Sequence, residues 1–163
     1  MENLTAIASN LQTMHAPSHQ NAYQPAHATL LATTFARLLG RPLHDPDTAK
    51  ALYHAPFPIL SHNTATDPVL TYGNLAAQHL WEMDWQTLTS MPSRRTAEPA
   101  ERGQRDAMFA EMRQKGFIEN YAGIRVSATG RRFEIRNAII WPLTDATGTK
   151  LGEAATFRDV RPL

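Results

Sequence analysis

Cysteine does not occur anywhere in the 163 residues. Its absence excludes disulfide staples, thiolate metal sites and every cysteine nucleophile. An excess of charge of either sign is also lacking, because 16 basic against 15 acidic side chains leave a net charge of +1. That field is too small to select nucleic acid or an anionic membrane as a partner. No basic region precedes an apolar run at the N-terminus, and no stretch approaches the ~20 apolar residues that span a bilayer. A soluble, cytoplasmic protein without a membrane partner is expected. The usual signatures of catalysis are missing as well: there is no Ser-His-Asp order, His-Glu-x-x-His motif, phosphate loop or dinucleotide fingerprint. His62, His79, Glu82 and Glu134 are groups that only the fold can bring together.

What is present is a three-stranded meander at the C-terminal end. Phe117 to Ser127, Arg131 to Leu143 and Leu151 to Asp159 read as strands, joined by turns whose Gly130 and Gly148 supply the positive φ that tight hairpins need. In the second run Phe133, Ile135, Asn137, Ile139 and Trp141 alternate with Arg132, Glu134, Arg136, Ala138 and Ile140. Strict period two predicts one apolar face, interrupted by Asn137.

Upstream, residues 1–24 are rich in Ser, Asn, Gln, His and Ala and are expected to fray, which leaves 25–163 as a single domain. His27 to Leu39 carries Leu30, Leu31, Phe35, Leu38 and Leu39 at helical spacing, stopped by Gly40 and Pro42. A short helix is expected from Asp45-Pro46 to about Tyr53. Phe57 to His62 follows as a strand, placed at a sheet edge because Pro58 has no N–H. Val69 to Tyr72 reads as a second strand and Asn74 as the N-cap of a helix to about Met83. Trp85 to Leu88 makes another helical turn, and a long helix from Glu98-Pro99 to Lys115 is closed by Gly116.

Two strands, a group of helices and a meander predict an α+β fold, a five-stranded antiparallel sheet with helices on one face and an N-terminal amphipathic helix. That layout resembles a PAS domain. The residues add a closer likeness: Phe57-Pro58-Ile59-Leu60-Ser61-His62-Asn63, Asp67-Pro68, Tyr72-Gly73-Asn74-Leu75-Ala76-Ala77, Leu80-Trp81, Pro92-Ser93-Arg94 and Gly130-Arg131-Arg132-Phe133 resemble the MEKHLA domain, a PAS-related family. The resemblance runs from about residue 27 to 160. It implies a PAS-like sensory or regulatory module with no defined chemistry. The DNA-binding part that accompanies this domain in plant homeodomain-leucine-zipper regulators has no counterpart here, so no nucleic-acid partner is carried over.

PAS-like sheets hold flavin, haem or small metabolites between sheet and helices, and the sequence leaves the cofactor unknown. Without cysteine no cysteinyl-flavin adduct can form, and Arg125 falls where light-oxygen-voltage domains place a flavin-binding asparagine. The long helix carries no histidine, which argues against haem; His79 is the one inward candidate, with a hydrogen-bonded core histidine as its plainer reading. The candidate ligand-binding residues are His79, Met83, Arg94, Met108, Met112, Tyr121, Arg125, Asn137 and Trp141. Asn137 is included because a polar amide on an apolar face needs partners. Arg94 flanks the long helix with Arg95, Arg102 and Arg105, where a solvated basic face competes with an anion site. The methionines and Trp141 have core packing as their alternative. Leu31, Phe35 and Leu38 are candidate contacts of a homodimer, if the N-terminal helix covers the sheet of a second copy. Three functions remain: a ligand-sensing module, a protein-interaction module with a solid core, and a small enzyme using His79 with a carboxylate.

Overall fold

The computed structural model describes residues 15–98 and 105–163, without the side chains of 105–109. The helices are α1 (Pro25–Leu39), α2 (Ala49–Tyr53), α3 (Leu75–Trp81), α4 (Trp85–Leu88) and α5 (Arg105–Lys115), and the strands are β1 (Ile59–His62), β2 (Leu70–Gly73), β3 (Ile118–Val126), β4 (Arg132–Thr144), β5 (Lys150–Thr156) and β6 (Asp159–Pro162). The antiparallel sheet has the order β2-β1-β5-β4-β3, and β6 pairs with β4. The expected α+β sheet is therefore present, with one refinement. The third meander strand stops at Thr156, and the chain resumes as β6 along the Phe133–Arg136 half of β4.

Local chemistry explains the helix ends. Pro25 opens α1, where its missing N–H costs nothing, and Gly40 closes it at φ 70° with its N–H on the Ala36 carbonyl at 3.0 Å. The short helix α2 begins three residues later than expected, because Thr48 rather than Asp45 caps it, accepting from the Ala51 N–H at 3.2 Å. Only Arg105–Lys115 of the long helix falls within the described residues, and Glu98 lies outside any helix. Residues 15–24, expected to fray, are tied to one another and to the domain: the Asn21 side chain donates to the Ala16 carbonyl at 2.9 Å, and Tyr23 packs on Tyr53. Residues 1–14 lie outside the described residues.

One face of the sheet is covered by α1. Ala28, Leu31, Ala32 and Phe35 are buried against Ile59, Trp141, Leu143 and Ala154 of β1, β4 and β5. The Phe35 ring meets Trp141 edge-on at 5.0 Å. Leu31 and Phe35 are therefore spent on this chain's own core rather than offered to a second copy, and Leu38 is half-buried. The opposite face carries a second cluster, in which Ala77, Trp81 and Leu88 of α3 and α4 pack on Leu60, Phe133, Ile135, Ala138 and Phe157.

Asn74 joins these layers. Its side-chain oxygen accepts from the Ala77 N–H at 3.1 Å and the Ile59 N–H at 3.0 Å, while its amide donates to the carbonyls of Leu52 and Phe57. The N-cap read from sequence is thus also a fully satisfied buried hub. Pro58 does not mark an edge: β1 lies between β2 and β5, and Pro58 precedes its first ladder residue.

Two bulges set which side chains face the helices. Between Ile118↔Ile140 and Tyr121↔Ala138 there is one extra residue in β3, and between Tyr121↔Ala138 and Gly123↔Ile135 there is one extra in β4. Asn120 and Asn137 adopt positive φ at these places, 58° and 52°. Alternation therefore switches face at Asn137. Phe133 and Ile135 before it look toward α3, whereas Trp141 and Leu143 beyond it pack under α1. Asn137 itself is exposed, so its expected place on an inner apolar face is corrected.

Candidate functional site

A cavity of about 310 Å³ lies between the sheet and the helices. An apolar row crosses its floor: Ile118, Ile140, Ala155 and Leu60 stand side by side on β3, β4, β5 and β1. Trp81 of α3, Met112 of α5 and the turn Ser93–Thr96 complete the wall. The sheet provides the rigid base, and the helical segments supply side chains over it.

Polar groups lie on both flanks of the apolar row. On β3, Arg125 donates through Nη1 to the Ile124 carbonyl at 3.0 Å and through Nη2 to the Tyr121 hydroxyl at 3.1 Å. The guanidinium stands 5.4 Å from the Tyr121 ring centroid, at cation–π distance. Both side chains lean over Gly123, where a Cβ would come within 2.7 Å of the Tyr121 hydroxyl. On the other flank His62 Nε2 is 3.8 Å from Glu153, whose carboxylate also accepts from Lys150 at 2.6 Å. His62 Nδ1 lies 2.8 Å from the Asn63 carbonyl. Arg94 reaches Asp67, with Nε 3.2 Å from each carboxylate oxygen.

Four of the residues singled out from sequence meet at this cavity: Arg94, Met112, Tyr121 and Arg125. Others do not. His79 is exposed on α3, so it is not the inward residue expected. Trp141 is fully buried on the opposite face of the sheet, with its indole N–H on Thr34. Met83 packs against the Trp81 cluster, and the Met108 side chain lies outside the described residues. Of the four groups that only the fold could bring together, His62 alone lines the cavity. Glu82 accepts from Ser127, Thr129 and Arg131 at the β3–β4 turn, and Glu134 pairs with Arg136. Among the described residues no cluster of His, Asp or Glu has the makings of a metal site.

Sequence reading missed His62 and Glu153 as cavity residues. The signal was available for His62, which shares the face of Leu60 by simple strand period.

The family model of the MEKHLA domain matches residues 25–162. The chain belongs to the MEKHLA family. No curated protein sequence matches it. Solved structures place the MEKHLA domain among PAS folds. The PAS domain of a Colwellia psychrerythraea protein shares 13% identity with a TM-score of 0.61, over 69% of this chain and 93% of that one. A light-oxygen-voltage domain studied with a flavin analogue shares 14% identity with a TM-score of 0.55, over 71% of this chain and 83% of that one. A PAS domain from a two-component sensor histidine kinase shares 19% identity with a TM-score of 0.54, over 70% of this chain and 91% of that one. At such identities the likeness is one of fold. Among the described residues of this MEKHLA domain, no helix is long and apolar enough to cross a membrane.

Proposed function

We propose that this MEKHLA domain is a sensory module that binds a small molecule between sheet and helices and acts through contacts, without catalysing a reaction. The cavity carries this reading. A space of about 310 Å³ with an apolar floor and a few convergent polar groups has the character of a small-ligand site. The α1 face of the same sheet, by contrast, is filled by interdigitated side chains. The separation of His79, Glu82 and Glu134 from the cavity supports a role in binding over one in catalysis.

Native mass spectrometry of the purified full chain, with its absorbance spectrum, tests the proposal. A bound mass released on denaturation is the expected result, and Ala138→Trp, which fills the cavity from the floor of β4, is expected to abolish it. Identical native and denatured masses, together with no thermal stabilisation by any member of a metabolite panel, would favour an interaction module with a solid core.

A further inference from the structure

We infer that the cavity takes an organic anion, a small monocarboxylate with an apolar body, whose acid group is held by Arg125 beside Tyr121. This rests on the reading of the cavity as a ligand site and names the chemistry of its occupant.

The two guanidinium groups of the wall differ in what they already hold. Arg94 is taken by Asp67. Arg125 meets only neutral acceptors, a carbonyl and a hydroxyl, and no carboxylate lies within ion-pair distance of it among the described residues. A guanidinium has five N–H donors, so two hydrogen bonds leave three for an incoming acceptor. The Tyr121 hydroxyl, accepting from Arg125, keeps its own proton to donate. Held by the Ile124 carbonyl and the Tyr121 ring, the fork is already oriented. Its planar donors match the two oxygens of a carboxylate.

The rest of the cavity fixes the body of the ligand. Beside Arg125 and Tyr121 runs the apolar row from Ile118 to Leu60, which suits hydrocarbon. Across the row, on β5 two strands from β3, stands the Glu153 carboxylate. Lys150 pairs with that carboxylate from outside the cavity wall, so a second acid group there would face Glu153 itself, which favours one carboxylate over two.

Isothermal titration of the full chain at pH 7 with octanoate and 1-octanol tests the assignment. Octanoate is expected to bind about tenfold tighter or more, the scale of a charge-assisted pair. Arg125→Met is expected to erase that preference while leaving 1-octanol affinity within about twofold, since a hydrocarbon stem of similar reach remains. Tyr121→Phe is expected to weaken octanoate alone. Equal affinities in the unaltered protein, or a preference that survives Arg125→Met, would overturn the anion assignment while leaving a ligand cavity in place. Failure of both probes to bind would overturn the cavity reading, and this assignment with it.

Discussion

Asn120 of β3 and Asn137 of β4 bracket a single cross-strand pair, Tyr121↔Ala138, each as the extra residue of a bulge and each at positive φ. Together they turn Tyr121 and Ala138 toward the cavity. Asparagine tolerates the left-handed region, where a β-branched residue does not. Asn137 is exposed, so its replacement tests the backbone alone. Asn137→Val is expected to cost about 1–2 kcal/mol in urea unfolding, whereas Asn137→Gly is expected to stay within about 0.5 kcal/mol of the original. Equal costs for the two would mean that the bulge is not what holds residue 137 in place.

Those bulges also explain which parts of the molecule could be read from sequence. Helix α1 was legible because Gly40 and the spacing of Leu31 and Phe35 act within one helix, although it starts at Pro25, two residues before the expected His27. The same holds for the Asn74 cap and for the meander turns. The faces of β3 and β4 were not legible. A strict period of two through Asn137 puts Trp141 on the face of Phe133 and Ile135, whereas it packs under α1. One inserted residue per strand reverses every assignment beyond it. The lone polar residue in an apolar run was the available clue, and its propensity for positive φ was the physics that gave it meaning. His79 failed for another reason: a seven-residue helix has too few turns for its pattern to say which side faces the core.

Trp141 donates its indole N–H to the Thr34 hydroxyl at 2.9 Å, and that hydroxyl donates in turn to the Leu30 carbonyl at 2.6 Å. Both side chains are fully buried, so neither has water to fall back on. Thr34→Val keeps the shape but strands the indole donor, and is expected to cost about 1–3 kcal/mol. Thr34→Ser, which retains the acceptor, is expected to cost less. With Trp141→Phe as the background, Thr34→Val should become nearly neutral. A double-mutant cycle in urea reads the difference, and additive single costs would show that the two residues are not coupled.

His27 of α1 lies 2.9 Å from the Ser61 hydroxyl and stacks on the Tyr72 ring at 5.3 Å. Burial pulls its pKa down from 6.5 to about 4. Between those values the unfolded chain binds a proton that the folded chain refuses. The contribution of this histidine to stability is complete above about pH 6.5 and is lost as pH falls toward 4. A loss of about 3 kcal/mol across that window is expected. His27→Gln, which can still hydrogen-bond Ser61, is expected to flatten this part of the profile. The carboxyls of Glu82, Asp84 and Asp145 are held below their ordinary range chiefly by hydrogen bonds, so they act at the acid end. Parallel profiles for the two proteins would remove His27 as the cause.

Gly123 lies beneath the Arg125–Tyr121 pair, and the atoms a Cβ would meet there are the tips of those two side chains, at 2.7 Å for the Tyr121 hydroxyl and 2.9 Å for Arg125 Nη1. Such tips can swing aside. A backbone atom cannot, as at Gly152, where the His62 carbonyl oxygen would stand 2.0 Å from an added Cβ. Gly123→Ala is therefore expected to keep its stability within about 1 kcal/mol, helped by the lower entropy of its unfolded chain. It is also expected to displace the guanidinium and lower octanoate affinity several-fold, with 1-octanol unchanged. Gly152→Ala is expected to do the reverse, loosening the β1–β5 pairing and lowering the urea midpoint well beyond the Gly123 variant. If Gly123→Ala left octanoate binding untouched, the present placement of Arg125 and Tyr121 would not be what recognises the acid group.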